Sequence, residues 1–295
     1  MADTSNCFIL VDKPIGISSF DVIKRLRHVT HNRKIGHAGT LDPFATGLLV
    51  CAIGSYTRLL QYVEAMSKSY EATIQFGEKS STGDPEGEII ETSHVKITEL
   101  DEGNLKASVL NLDRLPVPQY SAVKINGKRA YKLAREGVKL DMPDREVTIS
   151  DFSIIRNDLP NSLSYSVTVS KGTYIRSLSE WIAEKLEKVG MTIQLRRTSI
   201  SSIDVKEAHK LDNVTSQNWH KMIYPVQEIL GTIPKVVVTD TEQDALNHGR
   251  SIADENNLAP LSELAAFNAD GNLVAIVFHK EGLLQPKIVF NTREQ

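Results

Sequence analysis

An α+β fold followed by a small β-rich tail is the class that the sequence predicts, and three features of the 295 residues support it. KSYEATIQFGEK and LSYSVTVSK alternate apolar and polar residues, which is typical of half-buried strands. TYIRSLSEWIAEKLEKVG repeats its apolar residues at helical spacing instead. From about Gly231 onward, short apolar runs are joined by turns, including Asp270-Gly271, and this pattern predicts a small all-β domain over residues 231–295.

In the first part of the chain, buried strands and helices are predicted in turn. FILVDKPIG predicts a short strand that ends in a Pro-Gly turn, and SSFDVIKRLRHV predicts a helix with Ser19 as its N-cap. GHAGTLDPFATG then leads into the apolar run GLLVCAIG, which predicts a second buried strand. SYTRLLQYVEAM predicts the next helix.

The middle of the chain predicts a loop, a helix and a basic protrusion. STGDPEGE is a loop by its Gly and Pro content, and residues 97–112 have helical spacing. A Pro-rich entry, a turn at Asn126-Gly127 and a short basic helix follow, and we expect the segment at about 118–148 to protrude. The later helix is predicted to end at Gly190, with Tyr174 and Arg176 in its first turn.

The net charge of −3 argues, taken alone, against a nucleic-acid-binding protein. The charges are uneven, however, because the tracts Lys24–Lys34 and Lys124–Arg135 each hold five Lys or Arg residues and no acid. Such tracts are usually solvated surfaces, but in a slightly acidic chain they favour local contact with a polyanion.

Several classes of protein lose support. The apolar run Phe8–Val11 is far shorter than a signal-peptide core and no later run approaches a membrane span, so we expect a cytoplasmic protein without membrane association. Cys7 and Cys51 lie in apolar, strand-like surroundings without C-x-x-C spacing, which favours buried reduced thiols. The motifs H-E-x-x-H, G-x-S-x-G, G-x-x-x-x-G-K-[ST] and G-x-G-x-x-G are missing, so a metal or nucleotide cofactor has little support.

One acid, Asp42, stands between Leu41 and Pro43 in a loop with three glycines. An Asp before a Pro commonly does no more than cap a turn. Here the glycines permit close approach of another backbone or a ligand, and the acid precedes a buried strand directly. Asp42 is therefore a candidate catalytic residue.

The motif around Asp42 resembles that of a known enzyme family. G-x-L-D with a glycine five residues after the acid is similar to the motif of most pseudouridine synthases, and GHAGTLDPFATGLL is similar to the TruB family, the bacterial tRNA pseudouridine-55 synthases. Further segments follow in that family's order: VDKPIGISS at 11–19, KSYEATIQFG with STGDPEGE at 68–88, PQYSAVKINGKRAYKLAREG at 118–137, and SKGTYIRSL with LRRT at 170–198. The resemblance covers roughly residues 8–230.

The resemblance implies a fold and a reaction. The fold is a pseudouridine synthase core at 1–230, with a central mixed, largely antiparallel sheet and flanking helices, plus a small C-terminal β-barrel-like (PUA-type) domain at 231–295. The reaction breaks the N1–C1′ bond of a uridine in the T loop of tRNA, turns the base and rejoins it through C5. Because no atoms are gained or lost, the reaction requires neither a metal nor a redox cofactor.

The resemblance also implies roles for three catalytic residues. Asp42 is the nucleophile, Arg176 pairs with it and holds it ionised, and Tyr70 stacks on the flipped base and is proposed to help with proton removal. Spacing alone slightly favours a different role for Arg176, as an exposed helix residue paired with Glu180. A core tyrosine in register with Ile74 is the corresponding alternative for Tyr70.

Five more residues are implied to form the substrate site. Tyr174 and Leu195 line the uracil pocket, although a leucine in a strand is commonly a packing residue. His37 fills the space left when the target nucleotide flips out. This role has a physical reason, since extrusion costs unstacking energy that a replacement side chain can offset. Lys13 either braces the site or contacts RNA, and Asp84 supplies an acid near the arginine.

The implied partner is the T arm of tRNA, gripped by a basic segment that includes Lys124, Lys128 and Arg129, and the implied state is a monomer. Two alternatives stay open: a non-catalytic RNA-binding protein or tRNA chaperone on the same scaffold, and a pseudouridine synthase for another RNA. A pure binder has no need of an acid facing an anionic ligand, so Asp42 favours the enzyme.

Overall fold

The computed structural model describes residues 5–93, 99–125, 127–138, 140–254 and 263–290. Asn126 of the predicted turn and the first two residues of the helix predicted at 97–112 lie outside the described residues. Within the described ranges no helix has the length and the apolar character needed to cross a membrane.

The described strands are, in chain order, β1 (Cys7–Lys13), β2 (Ile35–Ala38), β3 (Thr46–Ile53), β4 (Lys68–Phe76), β5 (Glu78–Ser80), β6 (Ile89–Thr92), β7 (Arg114–Pro116), β8 (Lys124–Ile125), β9 (Lys128–Arg129), β10 (Asp144–Glu146), β11 (Ile149–Asp158), β12 (Ser162–Val169), β13 (Gly190–Ile200), β14 (Ile203–Asp204), β15 (His209–Lys210), β16 (Ile223–Tyr224), β17 (Lys235–Val237), β18 (Ile252–Ala253), β19 (Glu263–Phe267), β20 (Leu273–Lys280) and β21 (Leu283–Val289).

The described α-helices are α1 (Ser19–Thr30), α2 (Leu60–Ala65), α3 (Glu102–Leu110), α4 (Ala130–Arg135), α5 (Ile175–Lys185), α6 (Val226–Ile229) and α7 (Asp240–Asn247). Short 3₁₀ helices lie at Gly54–Leu59, Val205–Glu207, Leu211–Asn213 and Trp219–Met222.

A ten-stranded sheet forms the centre of the molecule. Its main path runs β11-β12-β4-β13-β3-β1-β15, with β2, β14 and β16 attached beside it. The β13–β3 and β1–β15 pairs are parallel and the others are antiparallel. The predicted α+β class with a mixed, largely antiparallel central sheet is confirmed.

Strands β1 and β3 are buried on both faces, which explains their uninterrupted apolar sequences. Ile9 of β1 and Leu49 of β3 pack with the apolar side of α1. Phe8 and Leu48, their neighbours in sequence, point to the opposite face and share a cluster with Phe267 of the C-terminal sheet. In the strand that follows Asp42, every residue after the first is therefore buried.

Strands β4 and β12 alternate as predicted. In each strand, the apolar residues of the alternating pattern share one face, and they are buried in one cluster with the apolar side of α5. They are Tyr70, Ala72, Ile74, Phe76, Leu163, Tyr165, Val167 and Val169. This packing fixes α5 against the sheet.

The C-terminal segment forms a five-stranded sheet in the order β17-β19-β20-β21-β18. It is not entirely β, since α7 follows β17 and packs against this sheet with Leu246. This helix was not predicted, because DTEQDALN has no clear apolar repeat. Thr239 and Glu242 form the capping box at which it begins. The division of the chain near residue 230 and the protruding segment at 118–148 stay predictions.

Four predicted helices have different boundaries in the structure, and the first of them is the helix predicted at 97–112, which is the shorter α3 (Glu102–Leu110). The N-cap of α1 is Ser18, not Ser19, because Ser18 forms a capping box with Asp21. α5 ends at Lys185, and Gly190 instead begins β13, where a Cβ would come within 3.0 Å of Gln75 O. The helix predicted from SYTRLLQYVEAM is a 3₁₀ turn followed by the shorter α2.

Gly47, the last glycine of the Asp42 motif, lies where β3 passes closest to β13. Its φ is +103°, and a Cβ there would lie 2.2 Å from the carbonyl oxygen of Arg197. The two strands can pair in parallel at this point only because glycine has no side chain.

We expect Gly47→Ala to lower the free energy of unfolding by more than about 3 kcal/mol, since it adds a backbone clash to an unfavourable φ. Gly16→Ala is the matched control, because Gly16 also has a positive φ, +86°, but no atom within 4 Å of its Cβ position. The control should cost only about 1–2 kcal/mol. Urea unfolding followed by circular dichroism measures both, and equal losses would contradict the clash.

Candidate active site

Asp42 lies in the loop between β2 and β3, and the residues on both sides of it are anchored. The Oγ of Ser19 accepts a hydrogen bond from Leu41 N at 2.8 Å and donates to Leu41 O at 3.1 Å. On the other side, Pro43 O accepts from Gly16 N at 2.8 Å. The segment between β1 and α1 therefore fixes the direction of the Asp42 side chain.

Arg176 is buried, and it faces Asp42. Its side chain projects from the first turn of α5, is 3% exposed, and brings Nε to 3.0 Å from Asp42 Oδ2. The carbonyl of Tyr120 accepts from its Nη2 at 2.9 Å, and the carbonyl of Thr82 accepts from its Nη1. The predicted pairing with Asp42 is therefore present in the structure, whereas Glu180 pairs with Lys79 at 3.2 Å instead of with Arg176.

Asp84 is the second acid on this guanidinium. Its Oδ2 lies 3.4 Å from Arg176 Nη1, and its Oδ1 accepts from Thr82 Oγ1 at 2.6 Å and from Glu86 N at 3.0 Å. These bonds hold the turn between β5 and β6 against α5. One buried cation thus orients two carboxylates, of which Asp42 is 35% exposed and Asp84 is 5% exposed.

Opposing effects act on the pKa of Asp42, and their net result is a pKa above the ordinary value. Removal from bulk water is the largest cause of the rise, and the negative charge of Asp84 adds to it. The positive charges of Arg176 and Lys13 lower the same pKa. The two cations therefore offset part of the rise and favour the carboxylate form.

Lys13 braces the loop from below. The side chain is fully buried, and its Nζ donates to the carbonyls of Ile17, Pro14 and Pro43 at 2.6, 3.0 and 3.2 Å. Burial lowers the pKa of Lys13 to about 8. Of the two predicted roles, the structure supports the brace, because no surface of Lys13 is left for RNA.

A cleft with a volume of about 2050 Å³ opens above Asp42. Tyr70 on β4, Leu195 on β13 and Tyr174, the N-cap residue of α5, all line it. Tyr70 and Leu195 also belong to the buried core, so each of them both packs in the core and lines the cleft.

His37 lines the same cleft from β2, and Arg197 lies beneath the loop. The Arg197 guanidinium donates to Gly39 O at 3.0 Å and to Leu48 O at 2.8 Å. Burial, and secondarily the charge of Arg197, lowers the pKa of His37, so a neutral imidazole predominates at pH 7. His37 therefore presents a flat, uncharged ring to the cleft.

The predicted basic segment lies at the rim. Lys124, Lys128 and Arg129 are exposed on the β8–β9 hairpin, and Arg129 lines the cleft while the two lysines do not. Further cations on the cleft wall are Arg114, Lys132, Arg135, Arg145 and Lys171.

Sequence reasoning missed two residues that build the site. Ser19 was assigned to the helix cap, but the Ser-x-x-Asp spacing from Ser18 to Asp21 could have identified the true cap and left Ser19 free for Leu41. Arg197 is the second missed residue. It lies two residues after Leu195 on β13, so strand alternation places both side chains on the same face and could have identified it.

No group of three or more His, Cys, Asp or Glu residues within the described ranges is arranged to hold a metal ion.

Comparison with known proteins identifies the family of this site. Residues 27–175 match the model of the TruB family pseudouridylate synthase N-terminal domain. The tRNA pseudouridine synthase B of Thermobifida fusca is 36% identical over 293 residues, which cover 96% of this chain and 97% of the relative. The chain belongs to the TruB family. It is accordingly a pseudouridine synthase, an isomerase.

Other comparisons extend over the same length. The TruB-family protein named tRNA pseudouridine synthase B in Bacillus subtilis is 31% identical over 309 residues, covering 98% of this chain and 99% of the relative. The crystal structure of a Cbf5-Nop10-Gar1 complex contains a chain that aligns with a TM-score of 0.73 at 21% identity, over 97% of this chain and 85% of that chain. That likeness shows that the two chains share a fold over the aligned length.

Replacing Asp84 tests the electrostatic balance at Asp42. In Asp84→Asn a negative charge near Asp42 is lost, so the pKa of the Asp42 carboxyl should fall. Carbon-13 NMR titration of labelled aspartate carboxyl groups, assigned with Asp42→Asn, measures this pKa.

The matched control is Glu88→Gln, an exposed acid on the same hairpin that does not shift the pKa of Asp42. An unchanged or higher Asp42 pKa in Asp84→Asn, with the control at the wild-type value, would contradict the assigned balance.

Proposed function

We propose that the protein converts uridine 55 in the T loop of tRNA to pseudouridine, with Asp42 as the nucleophile. The observation that carries the proposal is a carboxylate, fixed on both sides, that pairs at 3.0 Å with a buried guanidinium in a cleft that is large enough to admit a nucleotide together with part of its RNA strand. The relatives' name, tRNA pseudouridine synthase B, supports tRNA as the substrate.

The target uridine must leave the RNA stack before it can reach Asp42. Asp42 lies at the base of the cleft, and a nucleotide held in a folded RNA loop reaches such a position only by rotating out. The neutral ring of His37 is suited to occupy the space that the nucleotide leaves, because an uncharged aromatic surface can stack on the remaining bases.

The chemistry requires Asp42 in its ionised form. The carboxylate attacks C1′ or C6, or stabilises the opened sugar, while the N1–C1′ bond breaks. The base then turns, the C5–C1′ bond forms, any bond between Asp42 and the nucleotide breaks so that the carboxylate is regenerated, the proton leaves C5, and N1 ends protonated. Arg176 and Lys13 support this step because both lower the pKa of Asp42.

The walls of the cleft hold the free base during its rotation. Tyr70, Tyr174 and Leu195 offer two aromatic rings and one aliphatic side chain to the uracil. The Tyr70 hydroxyl is the proposed group for removal of the C5 proton, and its ring is the proposed stacking surface.

The basic rim is proposed to hold phosphates of the T arm. Arg129 lines the cleft, and Lys124 and Lys128 extend from the same hairpin into solvent. Such contacts position RNA without reading its sequence, so selection comes from the shape of the folded loop and from the flipped base.

The proposal also includes a monomeric protein in the cytoplasm and a separate C-terminal domain from residue 231. Cys7 and Cys51 are both buried and form no disulfide in the described part of the chain, which is consistent with a reducing compartment.

Asp42→Asn should abolish pseudouridine formation, by more than about a thousandfold, because the amide cannot act as the nucleophile. Binding of tRNA should stay close to wild type, since the amide is nearly the same size as the carboxylate. The assay incubates the protein with an unmodified T-arm stem-loop transcript and maps pseudouridine by carbodiimide-dependent primer-extension stops.

Asp151→Asn, the same exchange at an exposed position on β11 that does not line the cleft, serves as the control and should remain active. Turnover by Asp42→Asn would refute the assignment of the nucleophile. Product on a ribosomal RNA fragment, but not on the T arm, would replace the proposed substrate. Intact tRNA binding without product on any RNA would favour the RNA-binding alternative.

Two substitutions at Tyr70 separate proton removal from stacking. Tyr70→Phe keeps the ring, so it should bind tRNA normally but lose turnover by more than about a hundredfold. Tyr70→Leu should lose binding as well, because stacking on a base is lost. Single-turnover rates and dissociation constants give the two quantities, and normal turnover by Tyr70→Phe would restrict Tyr70 to stacking.

A further inference from the structure

We infer that Phe20, Lys24 and Arg27 form a second RNA-binding surface on α1, here called the Phe20 platform. Its ring stacks on a base next to the target nucleotide, and Arg27 holds a phosphate of the same strand. The inference rests on the proposed function, because it takes the substrate to be an RNA that places one nucleotide at Asp42.

The three side chains lie on one side of α1. Positions 20, 24 and 27 are separated by four and three residues, so they follow one another along one helical face. The Nζ of Lys24 lies 5.1 Å from the centroid of the Phe20 ring, and the Cζ of Arg27 lies 5.7 Å from it. Two cations therefore border one aromatic ring.

The Phe20 ring is open to solvent where the cleft begins. It is 52% exposed and lines the cleft together with Ser18 and Asp42. A single exposed phenylalanine is ordinary on a protein surface. An exposed ring bordered by cations at the mouth of an RNA cleft has the composition of a stacking site for single-stranded nucleic acid.

Hydrogen bonds between neighbouring residues tie the platform to the Asp42 loop. Ser19, the residue before Phe20, exchanges two hydrogen bonds with Leu41, the residue before Asp42. The backbone positions of Phe20 and Asp42 are therefore coupled. A base on the ring must belong to a nucleotide close to the one that reaches Asp42.

The charge of the platform favours a phosphate. Lys24 is partly neutralised by Asp21, whose carboxylate lies 2.9 Å from the lysine Nζ. Arg27 has no carboxylate within salt-bridge distance among the described residues, and its buried Nε lacks a hydrogen-bond partner there. Arg27 belongs to the acid-free tract Lys24–Lys34, which none of the catalytic roles uses.

The first experiment measures binding of the T-arm stem-loop in an Asp42→Asn background, where no turnover interferes. Phe20→Ala and Phe20→Leu should weaken binding about tenfold, because both remove the aromatic face. Phe20→Trp should stay within about twofold of the parent, since it keeps a stacking ring. Thermal unfolding should be nearly unchanged in all three, because the side chain is half exposed.

A matched pair of arginines tests the phosphate contact. Arg27→Gln should lower the steepness of the plot of log affinity against log salt by about one, as loss of one phosphate contact does. Arg25→Gln removes the same charge from an exposed position on a different face of α1, and it should leave the slope unchanged.

Parental affinity in Phe20→Ala, or equal slope changes in Arg25→Gln and Arg27→Gln, would overturn the inference. The wild-type assay keeps this failure distinct from failure of the proposed function. If the wild type forms product on the T arm but Phe20→Ala binds with unchanged affinity, the platform is refuted and the proposed function is not. Weakened T-arm binding in Phe20→Ala, with no wild-type product, supports the platform and refutes the proposed reaction.

Discussion

The ion pair between Asp42 and Arg176 is the interaction on which the arrangement of the site depends. A guanidinium that is 3% exposed cannot be left without an anion, because an isolated buried charge is strongly unfavourable. Asp42 and Asp84 meet that requirement from two different loops. The folding of three distant segments is thereby tied to one geometry, in which the Asp42 carboxylate faces an open cleft.

The site depends equally on the segments that support the Asp42 loop. Lys13 and Ser19 come from the start of the chain and bind the residues around Asp42, while Arg197 comes from the far end of the core and binds Gly39. These contacts use backbone carbonyls more than side chains. Because these contacts depend on backbone position, a shift of the loop would break several of them at once.

Local pattern predicted much of this fold and only part of the site. Strands β4 and β12 alternate so regularly that their buried faces follow directly from the sequence, and the Asp42 motif is specific enough to identify the family. The burial of Arg176 could not be predicted, because the same helical spacing suits an exposed residue paired with Glu180. The end of α5 and the presence of α7 were missed for a related reason, since Gly190 serves strand packing and α7 relies on its cap more than on an apolar repeat.

The shared packing of β1 and β3 with the C-terminal sheet has a consequence for movement. Phe8 and Leu48 contact the same apolar cluster as Phe267 and Ile276, so separation of the two sheets would expose a continuous apolar surface to water. Hinge motion of the C-terminal sheet away from the core is therefore opposed by the free energy of exposing that surface. The apolar contact favours one arrangement of the two sheets, so the outer surface of the tail is held in a defined position relative to the Asp42 loop.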